Sequence, residues 1–282
     1  MKLFLKDIRI EHTLFALPFA YVGAVMGARG VPTLPQLIWI TLAVLGARTA
    51  AMAANRFFDR RIDAANPRTA ARPTASGALG PAVMPVAIVA GLVLTLVAAW
   101  NLNPLCVALL PIAALAILLY PLTKRFTWAA HFILGGVDAL APLGAFIAVT
   151  GTVTPAAILL AAAVTVWVAG FDILYALMDY DVDRTQNLRS IPVRFGVPAS
   201  RVLPLALHVA MMAMLLGAGI LAHASRAYYL GILLALVLVV YEGRLIRFAS
   251  NFFVLNERVF VGNMAFSVAF LVTTVAGYAV RP

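Results

Sequence analysis

The sequence predicts an all-α, polytopic membrane protein of about nine transmembrane helices, with its N-terminus in the cytoplasm. Three observations carry that expectation. First, 63% of the 282 residues are hydrophobic and only 11% are charged, with a mean hydropathy of +0.98; soluble domains hold roughly 45–50% apolar residues. Second, apolar runs follow one another along most of the chain, each near the ~20 residues a helix needs to cross a bilayer. None alternates as a barrel strand would. Third, the basic residues collect in alternate gaps between those runs.

Spans are expected at 12–29, 36–54, 82–100, 104–121, 130–149, 155–178, 200–222, 227–243 and 260–280. The first has Asp7 and Glu11 ahead of it and further spans behind it, so it reads as a retained helix rather than a cleaved leader. The second, LIWITLAVLGARTAAMAA and its neighbours, ends where a charged segment begins. Short uncharged gaps, NLN and TGTVT, follow spans three and five, whereas the gaps after spans two and six are long and rich in charge. Spans seven and eight are divided only around HASRA.

Lys and Arg then fix the orientation. Seventeen of the 21 fall on one side: Lys2, Lys6, Arg9; Arg56, Arg60, Arg61, Arg68, Arg72; Lys124, Arg125; Arg184, Arg189, Arg194, Arg201; and Arg244, Arg247, Arg258. Only Arg29, Arg226 and Arg281 fall on the other, and Arg48 lies within span two. By the positive-inside rule the first side is cytoplasmic and the C-terminus is outside. The net charge of +10 therefore follows membrane topology, and no nucleic-acid partner is expected. Cys106 is the only cysteine, which excludes an internal disulfide and a cysteine metal-ligand pair. One membrane domain over 1–282 is expected.

Six of the eleven acidic residues sit in two short segments about 120 residues apart, on the same predicted side. Asn55, Asp59 and Asp63 read N-x-x-x-D-x-x-x-D; Tyr175, Asp179 and Asp183 read Y-x-x-x-D-x-x-x-D. A four-residue step keeps each set on one helical face, with Asp172 deeper on the second face and Asp181 turned away. Paired carboxylates facing another such pair suit a hard divalent cation such as Mg²⁺, which binds through one or two carboxylates plus substrate phosphates. Ordinary salt bridges with the neighbouring arginines would account readily for a single such set but poorly for two matched ones.

These residues lie in longer matching strings. The first is NRFFDRRIDAANPRTAARPTASG, the second DILYALMDYDVDRTQNLRSIPVRFG; YPLTKR at 120–125 and the opening RIEHTLFALPFAYVGA add weaker signatures. Over essentially its whole length the chain resembles the UbiA superfamily of intramembrane prenyltransferases, which join an isoprenoid diphosphate to a lipophilic or aromatic acceptor. It departs from many members in having Asn55-Arg56 where they have Asn-Asp or Asn-Gln. Its strings are most similar to a bacterial 4-hydroxybenzoate polyprenyltransferase-like subgroup, part of which serves the futalosine route to menaquinone. The resemblance leaves both 4-hydroxybenzoate and 1,4-dihydroxy-6-naphthoate open as acceptors.

The resemblance implies a helical bundle around a central cavity, with Asn55, Asp59 and Asp63 on one Mg²⁺ and Asp179 and Asp183 on another. It implies Arg68, Arg72, Tyr120, Lys124 and Arg189 as diphosphate contacts. Tyr175, one turn before Asp179, either lines the site or stabilises an allylic cation through its ring. Arg48 lies two turns deeper than Asn55 on the same face, and an intramembrane charge calls for a partner. Asp172 is the expected partner: the two either tie spans two and six together or orient the acceptor's carboxylate and phenol, with Asp172 taking the phenolic proton. Arg9 is a further candidate for the acceptor carboxylate. Asp138, in HFILGGVDALAPLG, lines the cavity or pairs with His131; His131 itself reads as an interfacial polar residue, and Gly135 and Gly136 as packing positions. The expected partners are thus a polyprenyl diphosphate, a small aromatic acceptor and the bilayer of the bacterial inner membrane, with the site facing the cytoplasm. Other superfamily acceptors, such as haem, chlorophyllide or a glycerol phosphate ether, and a transporter with intramembrane charges are the alternatives.

Overall fold

The helices begin where the sequence offers caps. In a computed structural model that describes residues 2–9, 13–249 and 251–279, Thr33 caps α3 (Leu34–Ala65) through a reciprocal pair with Gln36. Asn103 caps α5 (Pro104–Thr123), Thr154 caps α8 (Pro155–Ala176) and Ser190 caps α10 (Ile191–Leu221). Each is followed by a proline in the first turn, where its missing N–H costs nothing. The remaining helices are α1 (Lys2–Asp7), α2 (Thr13–Ala28), α4 (Val83–Trp100), α6 (Ala130–Asp138), α7 (Leu140–Thr150), α9 (Tyr180–Thr185), α11 (Arg226–Phe248) and α12 (Phe252–Ala279). Every regular element among the described residues is helical. Glu11 and Arg281, and the extreme ends of the first and last expected spans, lie outside the described residues.

Eight segments among the described residues are long and apolar enough to cross a membrane, with α6–α7 taken together and α8–α9 taken together. The remaining expected span corresponds to the shorter apolar stretch Ala16–Ala28 of α2. Outward-facing apolar side chains such as Val86, Val89 and Val93 on α4, Ile112 and Leu115 on α5 and Leu233 and Val237 on α11 are exposed. So much apolar surface suits hydrocarbon rather than water.

Several boundaries differ from those expected, for identifiable reasons. α3 continues eleven residues past the expected end at 54, because its polar extension points into the protein: Arg56, Asp59 and Asp63 are buried. The expected span 130–149 is two helices that meet at Ala139. α10 starts at Ile191 rather than 200 and bends at Gly196, whose φ of 81° is open to glycine. The second aspartate set does not ride on one continuous α-helical face. A 3₁₀ turn at Leu177–Asp179 separates α8 from α9, and Asp179 (φ −105°, ψ 6°) leaves the α-helical region.

α3 packs broadly on α4, α8 on α10, α2 on α7, α11 on α12 and α6 on α8. The α3–α4 contact is backbone to backbone: a Cβ added to Gly46 would stand 2.6 Å from the Gly91 carbonyl oxygen. On α6, Gly135 lies against the backbone of Thr165 on α8, as a packing glycine should, whereas Gly136 has open space around it. Phe19, Trp167 and Phe270 form an aromatic core joining α2, α8 and α12, with Phe19 and Trp167 centroids 4.7 Å apart.

A buried polar chain that the sequence reading did not single out ties α8, α10, α11 and α12. His208 Nδ1 lies 2.6 Å from Glu242 Oε2; Asn263 donates to Glu242 Oε1 at 2.6 Å, and Trp167 Nε1 donates to Asn263 Oδ1 at 2.5 Å. His208 Nε2 lies 3.1 Å from the Trp167 carbonyl, so that nitrogen carries a proton and donates. Both members of this His208–Glu242 pair are fully buried.

Candidate active site

A cavity of about 340 Å³ opens between α3, the loop after it, the end of α5, α6 and the α8–α9 segment. Every candidate catalytic, metal- or substrate-binding side chain named from the sequence lines it: Arg48, Asn55, Asp59 and Asp63 from α3, with Arg68 and Arg72 from the following loop; Tyr120 and Lys124 at the end of α5; Asp172, Tyr175, Asp179 and Asp183 from the second motif; and Arg9 and Arg189. An apolar cavity of about 330 Å³ adjoins it, and the two share Arg48, Ala51, Val137 and Asp138 as common wall.

Three acid–base pairs cross the mouth. Lys124 Nζ donates to Asp59 Oδ2 at 2.7 Å. Arg72 donates through one nitrogen to both Asp63 oxygens at 2.8 Å. Arg68 grips Asp179 with Nε, at 2.8 Å to Oδ1, and with its Nη2 on Oδ2. Asn66 donates to the same Oδ1 at 2.8 Å. Burial alone would lower the Arg68 guanidinium, but hydrogen bonding and attraction from Asp179 outweigh it and hold its pKa above the ordinary value. Arg68 also sits over the Tyr175 ring, 5.4 Å from its centroid, and donates to its hydroxyl at 3.4 Å. Asp183 forms no ion pair among the described residues.

Asn55 lines the cavity with its amide already engaged on both sides. Arg56, buried, donates to Asn55 Oδ1 at 2.6 Å, and Asn55 Nδ2 donates to Asp59 Oδ2 at 3.1 Å. The amide thus links the Arg56 guanidinium to the Asp59 carboxylate and helps to orient it. Arg56 is in turn held by the Asp7 carbonyl at 2.9 Å, while Asp7 accepts from the Thr74 backbone and hydroxyl. The Arg56 that departs from the family pattern thus anchors the N-terminal segment to the first motif.

The expected Arg48–Asp172 pair is not formed. Arg48 lies 3.6 Å from Asp138, and Asp172 Oδ2 lies 2.7 Å from His131 Nδ1. The reason is α6: its close approach to α8 at Gly135 brings it into the wall, with His131 and Asp138 two turns apart, and each intercepts one expected partner. The alternative pairing of Asp138 with His131 is likewise not formed. Arg48 Nε is buried without a hydrogen-bond partner, as is Asp59 Oδ1. Tyr120 donates to the Ala51 carbonyl at 3.3 Å, and Arg189 to the Phe126 carbonyl at 2.8 Å.

A profile of the UbiA prenyltransferase family matches residues 16–251. The 4-hydroxybenzoate octaprenyltransferase of Alkalilimnicola ehrlichii is 35% identical over 231 residues, covering 80% of this chain and 76% of its own. That of Pseudoalteromonas translucida is 31% identical over 273 residues, covering 95% and 91%. Among solved structures, the apo form of a UbiA homologue from Aeropyrum pernix K1 superposes with a TM-score of 0.76 at 32% identity, covering 95% of this chain and 97% of that one. A UbiA homologue from Archaeoglobus fulgidus, bound to GPP and Mg²⁺, shares the fold at a TM-score of 0.73 and 18% identity, covering 97% and 99%.

Proposed function

The chain belongs to the UbiA prenyltransferase family, and on that premise we propose that it uses Mg²⁺ to transfer a polyprenyl group from its diphosphate to a small aromatic acid, of the 4-hydroxybenzoate or 1,4-dihydroxy-6-naphthoate type. That it is a membrane-embedded prenyltransferase follows from the family and the helices. The acceptor and the metal are this proposal's own. One observation carries it furthest: a charged cavity and an apolar cavity meet along a shared wall, a shape suited to a molecule with a diphosphate head and a hydrocarbon tail.

The residues fit a metal-bridged diphosphate. Asp59 Oδ1 is a buried acceptor with no hydrogen-bond partner, its nearest cation being Arg125 Nη2 at 3.7 Å, and no three His, Cys, Asp or Glu side chains converge on one point among the described residues. Such a set offers an ion one or two carboxylates, the demand of Mg²⁺ when phosphate oxygens complete its shell. Asp59 and Asp63 would hold one ion and Asp179 and Asp183 the other. When bound, Mg²⁺ neutralises charge on the departing diphosphate. Arg68, Arg72 and Lys124 exchange carboxylate for phosphate partners, with Tyr120 and Arg189 beside them, and Tyr175 presents its ring to the allylic cation.

Deeper in the cavity, the buried and unpartnered Arg48 Nε suits the acceptor carboxylate, with Arg9 a second cation on the same wall. Asp172 takes the phenolic proton. The allylic C–O bond breaks, a bond forms between that carbon and the ring carbon beside the phenolate, and rearomatisation moves that carbon's proton back to the phenolic oxygen, so that the one proton lost overall is the one Asp172 took and the diphosphate leaves with the C–O electron pair. The distribution of Lys and Arg supports a charged mouth facing the cytoplasm from the bacterial inner membrane.

The test is product formation by purified protein in detergent with Mg²⁺ and geranyl diphosphate, offering 4-hydroxybenzoate and 1,4-dihydroxy-6-naphthoate separately and reading prenylated product by mass spectrometry. Product from one acceptor, absent in Asp59→Ala and Asp183→Ala, supports the reading and chooses between them. Diphosphate release without product from either acceptor removes this acceptor class.

A further inference from the structure

We infer that His131 is a positioning residue that holds Asp172 as a proton acceptor facing the aromatic substrate. The position of each hydrogen follows from its partners. Ile191 is the first residue of α10, and the amide of a first-turn residue has no partner within its own helix. Here that N–H donates to His131 Nε2 at 3.2 Å, in a fully buried contact. Nε2 is therefore the lone-pair nitrogen, and a neutral imidazole carries its one proton on Nδ1. Nδ1 lies 2.7 Å from Asp172 Oδ2, so His131 donates and Asp172 accepts. The reverse arrangement, a protonated Asp172 donating to Nδ1, would leave the ring with two lone pairs and no proton.

The chain amide → Nε2, Nδ1–H → Asp172 thus selects both a tautomer and the acceptor state of a carboxyl group. His131 is almost completely buried, with a side-chain exposure of 6%, while Asp172 keeps 26% and lines the charged cavity. The buried residue is the fixed one, and the carboxylate it holds is the one that faces substrate. Asp172 forms no other hydrogen bond among the described residues. Asp138, two turns along α6 from His131, is engaged by Arg48 and does not compete for the ring. The arrangement is that of a base oriented by a hydrogen-bonded histidine, with the backbone of a neighbouring helix setting the histidine's tautomer.

This inference rests on the proposed transfer to a phenolic acceptor, and it is tested separately from it. Steady-state kinetics of geranyl transfer to 4-hydroxybenzoate, or to the naphthoate if that is the acceptor used, would compare wild type, His131→Leu and His131→Asn. The asparagine amide can donate from near the Nδ1 position, whereas leucine keeps bulk without a donor. The expected result is a kcat loss of about 10–100-fold in His131→Leu, with KM for geranyl diphosphate within about twofold and at least partial recovery in His131→Asn. A ring-fluorinated acceptor, whose phenol gives up its proton more readily, should shrink the His131→Leu defect. Equal kcat in all three proteins, or a defect in which both KM values move together and neither asparagine nor the fluorinated acceptor helps, overturns the inference. Wild type that forms no product with any phenolic acceptor instead overturns the proposed function on which it stands.

Discussion

Lys124 Nζ stands 2.7 Å from Asp59 Oδ2 and joins the end of α5 to the first aspartate motif on α3. The acid is buried, at 2% side-chain exposure, and the cation is partly open, at 30%. The buried partner is fixed by its helix, while the lysine on its flexible stem is the one able to change partners. Together with Arg72–Asp63 and Arg68–Asp179, the pair gives the mouth matched charges that a metal-bridged diphosphate can take over on both sides.

Lys124→Met should therefore raise KM for geranyl diphosphate, by about tenfold, as expected for losing one charge-assisted contact worth ~1.5–3 kcal/mol. Asp59→Asn should cost at least about 100-fold in kcat, the scale of losing an electrostatic contact made to the developing charge. EDTA should abolish activity and added Mg²⁺ restore it. Steady-state rates across Mg²⁺ and prenyl diphosphate concentrations check all three; a Lys124→Met enzyme with unchanged KM would count against the phosphate role.

Arg68 holds Asp179 with two nitrogens and lies over Tyr175, a geometry that a lysine cannot copy. Arg68→Lys should lose about 10-fold or more in kcat/KM despite keeping the charge, since each hydrogen bond lost to a charged group is worth ~1.5–3 kcal/mol. A kinetic comparison of Arg68→Lys with Arg68→Ala reads this directly. Near-normal activity in the lysine variant would mean that charge alone matters there.

Arg48→Gln removes the cation at the boundary between the two cavities. KM for the aromatic acid should rise about 10-fold or more, with KM for geranyl diphosphate changed by less than about twofold. Substrate-by-substrate kinetics measure the split. A larger effect on the prenyl diphosphate would move Arg48 from the acceptor to the donor side.

Far from the mouth, Glu242→Leu leaves His208 Nδ1 and the Asn263 amide without their buried partner. Breaking a buried pair from one side costs about 3–5 kcal/mol, so thermal unfolding in detergent should begin at a clearly lower temperature. His208→Leu combined with Glu242→Leu should recover part of the loss, because the ring left without its carboxylate partner is then removed as well.

The sequence makes the outline of the site legible because two four-residue aspartate spacings survive the fold as cavity-lining sets, along with the basic residues near them. What it conceals is pairing. Arg48 and Asp172 are the obvious intramembrane partners on paper, but the break at Ala139 and the approach of Gly135 to Thr165 put α6 into the wall. Asp138 and His131 then take one partner each. No spacing rule encodes that insertion, since it depends on where a third helix packs. Asn55 shows the same limit: its motif position gives the side chain's place but not the neighbouring Arg56 that donates to its oxygen. Helix ends are hidden too, because hydropathy stops at the charges of α3 while the helix runs on to Ala65.

The most direct measurement is an experimental structure of the protein with Mg²⁺, geranyl S-thiolodiphosphate and 4-hydroxybenzoate or 1,4-dihydroxy-6-naphthoate. Metal density is expected against Asp59, Asp63, Asp179 and Asp183, with phosphate oxygens on Arg68, Arg72 and Lys124 in place of their carboxylate partners. The prenyl tail is expected in the apolar cavity and the acceptor between Arg48 and Asp172. Diphosphate bound elsewhere, with the three acid–base pairs intact, would contradict this arrangement.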